Sequence, residues 1–139
     1  MIAYVIYQLL PQGRRAGDVG GWFVLSCLAN AAWIFLWHYG LFLWTLLAML
    51  ILLASLLGIY LRLGVGRGSV PAAARWLAHL PFSVYLGWVS VATIANVTDV
   101  LYTYGWGGWG LAPQLWAIIL LAAATALAAL MAAFRRDLA

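Results

Sequence analysis

The sequence predicts an all-α protein: a polytopic helical membrane bundle of four complete transmembrane helices, preceded by a short N-terminal helical segment. Three observations carry this. Of 139 residues 68% are hydrophobic and 7% charged, with a mean hydropathy of +1.03, more apolar surface than a soluble domain of this size can hide. No Asp, Glu, Lys or Arg lies between Asp18 and Arg62 or between Asp99 and Arg135, intervals long enough for crossings of about 20 residues each. The arginines gather at alternate ends of the resulting spans.

Residues 1–12, MIAYVIYQLLPQ, are apolar over too short a run to cross alone and read as a partial or interfacial helix. They lack the basic start of a signal peptide. Residues 13–139 form the bundle. The interval after Asp18 holds two spans, near 21–38 and 41–61, joined at His38-Tyr39-Gly40 as a helical hairpin. A third span covers about 80–102, and a fourth 113–134, with Pro113 in the first helical turn, where its missing N–H costs nothing. Ala122, Ala126, Ala129 and Ala133 put small side chains on one face of the fourth, a surface suited to close approach by another helix. The loop YTYGWGGWG, Tyr102–Gly110, reads as an aromatic belt on a flexible turn.

Arg14 and Arg15 precede the first span, Arg62, Arg67 and Arg75 follow the second, and Arg135 and Arg136 follow the fourth. By the positive-inside rule these segments, including the C-terminus, are cytoplasmic, while Tyr39–Gly40 and the loop after the third span face outward. A bacterial inner membrane is the expected location. The net charge of +4 is accounted for by these flanks, so a nucleic-acid partner is excluded; the expected partners are membrane lipids and other transmembrane helices, in a homo-oligomer or a larger membrane complex.

Catalytic chemistry has little material to work with. The chain has no Lys or Glu, three Asp, and two His near opposite ends of their spans, so no metal cluster or nucleophilic triad can assemble, and the chain reads as a non-enzyme. His38 alone is a weak candidate for an axial ligand. The lone Cys27 reads as a small packing residue. GVGRG at Gly64–Gly68 lacks the ending and the setting of a phosphate loop.

The polar residues inside the spans are more informative. Residues three, four and seven apart share a helix face. Tyr85, Trp88, Ala92, Asn96 and Asp99 therefore form one stripe on the third span, and Ser26, Asn30, Trp33 and Trp37 form another on the first. Polar groups facing lipid are costly, so both stripes are expected to turn inward. Two readings follow: helix glue, with Asn30 and Asn96 hydrogen-bonded across the bundle, or a cavity whose indoles stack on a flat ligand.

Leu28-Ala29-Asn30-Ala31-Ala32-Trp33 resembles the L-x-N-x-x-W span of the translocator-protein family, also called tryptophan-rich sensory proteins or TspO/MBR. Tyr85 to Asn96, YLGWVSVATIAN, is similar to that family's last span, close to P-Y-x-x-W-V-x-F-A-x-x-x-N. Ile34 and Phe35 replace the small residues or Pro usual after the first Trp, and Val84 replaces a Pro. The resemblance covers about Trp22 to Tyr104, with the family's opening helix and loop outside this sequence and the last span beyond the family core. It implies a non-enzymatic protein with no required cofactor, binding a tetrapyrrole (porphyrin, haem or bacteriochlorophyll) or a lipid between helices. Asn30, Trp33, Tyr85, Trp88, Ala92 and Asn96 would line that pocket, with Trp37 continuing the first stripe. The alternative is an accessory structural subunit of a larger membrane complex, such as a pigment-binding photosynthetic assembly.

Overall fold

A computed structural model describes residues 2–9, 19–66 and 70–135; the side chains at 113, 127–128 and 131–135 fall outside that description, as do Arg14, Arg15, Arg67 and Arg136. The elements are α1 (Ile2–Leu9), α2 (Gly20–His38), α3 (Phe42–Arg62), α4 (Ala72–Ala74), a π turn (Arg75–His79) that continues into α5 (Leu80–Thr103), a 3₁₀ turn (Gly108–Gly110) and α6 (Pro113–Arg135). Gly20–His38, Phe42–Arg62 and the continuous run Ala72–Thr103 are each long and apolar enough to cross a bilayer; in α6 the apolar stretch is the shorter Gln114–Ala126. The chain is an all-α, integral membrane protein.

Three of the helices stop in the same way. Gly40, Gly64 and Gly105 adopt left-handed φ of 68°, 61° and 74°. Each donates to the carbonyl three residues back, and the next residue donates five back: Leu41 to Leu36, Val65 to Tyr60, Trp106 to Leu101. This double closure satisfies carbonyls that a helix end would otherwise leave bare in lipid, and at Gly40 the next helix begins within two residues.

The third span begins earlier than its hydropathy suggests. Pro81 has no N–H and its ring crowds the carbonyl four residues back, so an uninterrupted α-helix would break there. The π turn resolves this by widening the register, with the Leu80 N–H bonded to the Arg75 carbonyl, and the helix extends back to Ala72. Arg75, expected in a loop, is therefore helical, and His79 lies within the same run.

α3 is the centre of the bundle. Its buried row Thr45, Met49, Leu52, Leu56 and Ile59 follows the helical repeat, and α2 and α5 both pack along it while barely touching one another. Close approach to α2 depends on Gly58, where a Cβ would stand 3.2 Å from the Trp22 ring; the Arg62 guanidinium lies 5.5 Å from the centre of that same ring. The hydroxyls of Ser26, Ser55 and Thr93 donate to their own helices, to the carbonyls of Phe23, Ile51 and Val89, so small polar residues enter the core already satisfied. α1 docks at the end carrying Arg62 and Arg75, where Tyr4 packs at 5.1 Å from Phe23 of α2 and 5.0 Å from Phe82 of α5.

α6 faces α5 across an open groove with Ala117, Leu120, Leu121 and Ala124. The face with Ala122, Ala126 and Ala129 is exposed, so the small-residue stripe does not make the α5 contact; Ala133 falls outside the described side chains. The loop before α6 is packed by its own tryptophans. Trp106, Trp109 and Trp116 pack mutually at 5.0–5.7 Å, and Trp116 Nε1 donates to the Gly108 carbonyl at 2.9 Å. Gly108 sits at φ 61°, and a Cβ there would stand 3.2 Å from Trp116 Nε1. Gly108→Ala is therefore expected to cost about 1–2 kcal/mol locally, read as faster amide exchange through 105–112; unchanged exchange would mean the cluster does not hold the loop.

Candidate functional site

α2 and α5 run in the same direction because α3 returns between them, and both pack along α3. They meet at the basic end, where Phe23 and Phe82 stand edge-on at 6.4 Å beside Tyr4. One level further along, Tyr85 lies near Cys27 of α2. Advancing both helices in step from that contact places Trp88 at the level of Asn30, Ala92 near Trp33, and Asn96 near Trp37. The two predicted motifs thus stand at matching heights on helices that share α3 as their neighbour.

Their side chains are not equivalent. Asn96 is 2% exposed, and its Nδ2 donates to Thr45 Oγ1 at 3.1 Å. Among the described residues no hydrogen bond joins it to Asn30, which is half-buried on α2. The expected Asn–Asn bridge is replaced by an Asn–Thr bridge to α3, because α3 occupies the space between the flanking helices. Thr45 has one hydroxyl proton, placed on the Phe42 carbonyl at 2.6 Å; Asn96 Oδ1, 3.3 Å from the same oxygen, therefore keeps accepting capacity.

Trp33 and Trp37 pack at 5.6 Å, with Trp37 edge-on to Phe42 at 5.4 Å. Trp33 Nε1 is buried and has no hydrogen-bond partner. Tyr85 and Ala92 are half-buried against the core. Trp88 departs from expectation: it is 69% exposed. The contact with α3 fixes the inward face of α5 as Phe82, Leu86, Val89, Thr93, Asn96 and Val100, and Trp88 stands one residue, about 100°, around from Val89. Its stripe splits, with Asn96 buried, Tyr85 and Ala92 half-buried against the core, Trp88 exposed, and Asp99 facing α6.

Cys27 is exposed on α2, not packed inside it. His38 is exposed at the end of α2 with its ring 5.4 Å from Tyr39, and His79 lies in the π turn near the opposite end. Thr45 was invisible as a site residue from sequence; its signal was a lone hydroxyl in the buried row of an otherwise apolar span.

An all-α membrane bundle whose two parallel helices α2 and α5 carry Trp- and Asn-containing stripes at matching heights is the class that the fold defines. The chain belongs to the TSPO-like protein family, whose profile matches residues 1–139 and so runs through α1 and α6, beyond the stretch that carries the two motifs. No curated protein and no solved structure matches it.

Proposed function

We propose that the chain is a non-enzymatic membrane sensor that holds a planar apolar ligand, a tetrapyrrole such as a porphyrin, haem or bacteriochlorophyll, in the cleft between α2 and α5. The observation that carries this reading is the Trp33 indole N–H, buried without a partner. A donor left unpaired in an apolar interior costs about 1–3 kcal/mol, a cost that an acceptor on a bound ligand removes. The indole faces of Trp33 and Trp37 offer stacking area, Asn30 and the spare oxygen of Asn96 supply polar contacts, and Tyr85 and Ala92 form the facing edge. Trp88 covers the ligand from the mouth.

The test is a protoporphyrin IX titration of the purified chain in nanodiscs against empty nanodiscs. Saturable quenching near one porphyrin per chain supports the proposal, and non-saturating uptake equal to that of empty discs ends it. A second reading, an accessory subunit of a larger membrane complex, draws on the exposure of Trp88 at an open cleft wall, which a partner's helix could cover. Obligate co-purification with larger membrane proteins in mild detergent, with no porphyrin uptake by the separated chain, would favour it.

The orientation in a bacterial inner membrane follows from the arginines. Arg62 and Arg75 lie at one end of the bundle, and His38 and the tryptophan loop lie at the other. In a Cys27→Ala background, a cysteine at Val70 should label only from the cytoplasm and one at Trp109 only from outside, with the fourth span returning the C-terminus to the cytoplasm. Labelling of both from one side would overturn this topology.

A further inference from the structure

The outer face of α5 and the inner face of α6 enclose an open groove of about 320 Å³, separate from the α2–α5 cleft. Its walls include Val91, Ile94, Leu120 and Leu121, and its polar groups are Thr98 and Asp99. Asp99 is the sole acidic residue among the described residues. It stands one turn before the end of α5, and among the described residues no ion pair reaches it. The arginines Arg62, Arg75 and Arg135 all lie at the other end of the bundle; Arg75 is 24 positions back along the same helix, about 36 Å away. An ionisable side chain held in a membrane helix without a counter-charge marks a place where the counter-charge arrives from outside.

We propose that this groove binds a hydrophobic amine: one protonated nitrogen against Asp99, with a single apolar chain or small ring system along Val91 and Leu121. The polar groups dictate the sign. Thr98 Oγ1 spends its proton on the Ile94 carbonyl at 3.0 Å, so the groove offers lone pairs only and calls for a donor. A phosphatidylethanolamine headgroup carries an ammonium of the same kind, and the disc composition in the test below separates that source from a free amine. The volume, at the low end for ligand pockets, suits one tail and not two. Entry is lateral, from the bilayer, through the open side of the groove.

The probe is radiolabelled dodecylamine, measured on the chain in phosphatidylcholine nanodiscs against empty discs, with dodecanol and dodecyl sulfate as competitors. Saturable binding is expected, displaced weakly by dodecanol and not by dodecyl sulfate. Asp99→Asn should lower the affinity at least about tenfold, the loss expected when a charge-assisted hydrogen bond becomes a neutral one. Ala95→Trp, which fills the groove from an exposed position, should abolish binding while the melting temperature and porphyrin uptake stay at wild-type values. Equal affinity for dodecylamine and dodecanol, or an unchanged affinity in folded Asp99→Asn, overturns the proposal. Binding that persists in phosphatidylethanolamine discs supports a free amine; its loss there assigns the groove to lipid headgroups and overturns it as well.

Discussion

Phe82→Ala is expected to be the most damaging single substitution in the bundle, lowering stability by about 3 kcal/mol, the lower part of the range for removing a buried phenyl ring. The ring is 1% exposed and stands where α1, α2 and α5 meet, 5.0 Å from Tyr4 and 6.4 Å from Phe23. In lipid little is gained by moving a phenyl group from hydrocarbon into protein, so the loss falls on packing: dispersion contacts vanish and a void opens beside two rings that α1 holds in place. Leu28→Ala, at an exposed position on α2, provides the contrast and should change stability by less than about 0.5 kcal/mol. Melting curves in one detergent decide this. If Phe82→Ala melted with wild type, the aromatic contact between α1 and the spans would be incidental.

Trp33→Phe is expected to act in the opposite direction on two quantities. Porphyrin affinity should fall about tenfold, because the ligand loses a buried hydrogen bond of roughly 1.4 kcal/mol together with part of its stacking surface. The stability of the ligand-free chain should stay level or rise slightly, because the substitution deletes a buried donor that has no partner. Asn96→Ala serves as the reference for a structural role: it removes a bridge to Thr45 and should lower the melting temperature, at a cost on the order of 1 kcal/mol. Unchanged porphyrin affinity in Trp33→Phe together with a fall in its stability would make the stripe structural.

The helical class was readable because lipid imposes it: a backbone in hydrocarbon must pair its own polar groups, so charge-free apolar runs announce helices. The same property hides the packing. In a soluble helix the apolar face points inward, but here Leu28 and Phe35 face outward beside buried Ser26 and Ala29, and hydrophobicity does not tell one side from the other. Polarity did better for Asn96, which is buried, than for Trp88, whose indole is tolerated on a lipid-facing surface. The Asn96 partner could not be inferred because it depends on which helix lies in the middle, and that follows from the packing of α3. The π turn was implicit in Pro81, and the tryptophan cluster in the spacing of Trp106, Trp109 and Trp116, but both are properties of backbone register that composition does not express.

The central claim is that ligand sits between α2 and α5, and crosslinking tests it most directly. A porphyrin bearing a diazirine, bound to the chain in nanodiscs and irradiated, should attach to peptides of α2 carrying Asn30 to Trp37 and to peptides of α5 carrying Tyr85 to Ala92, with free porphyrin suppressing both adducts. Adducts confined to the Trp106–Trp116 loop or to the α5–α6 groove, with α2 unmodified, would contradict it.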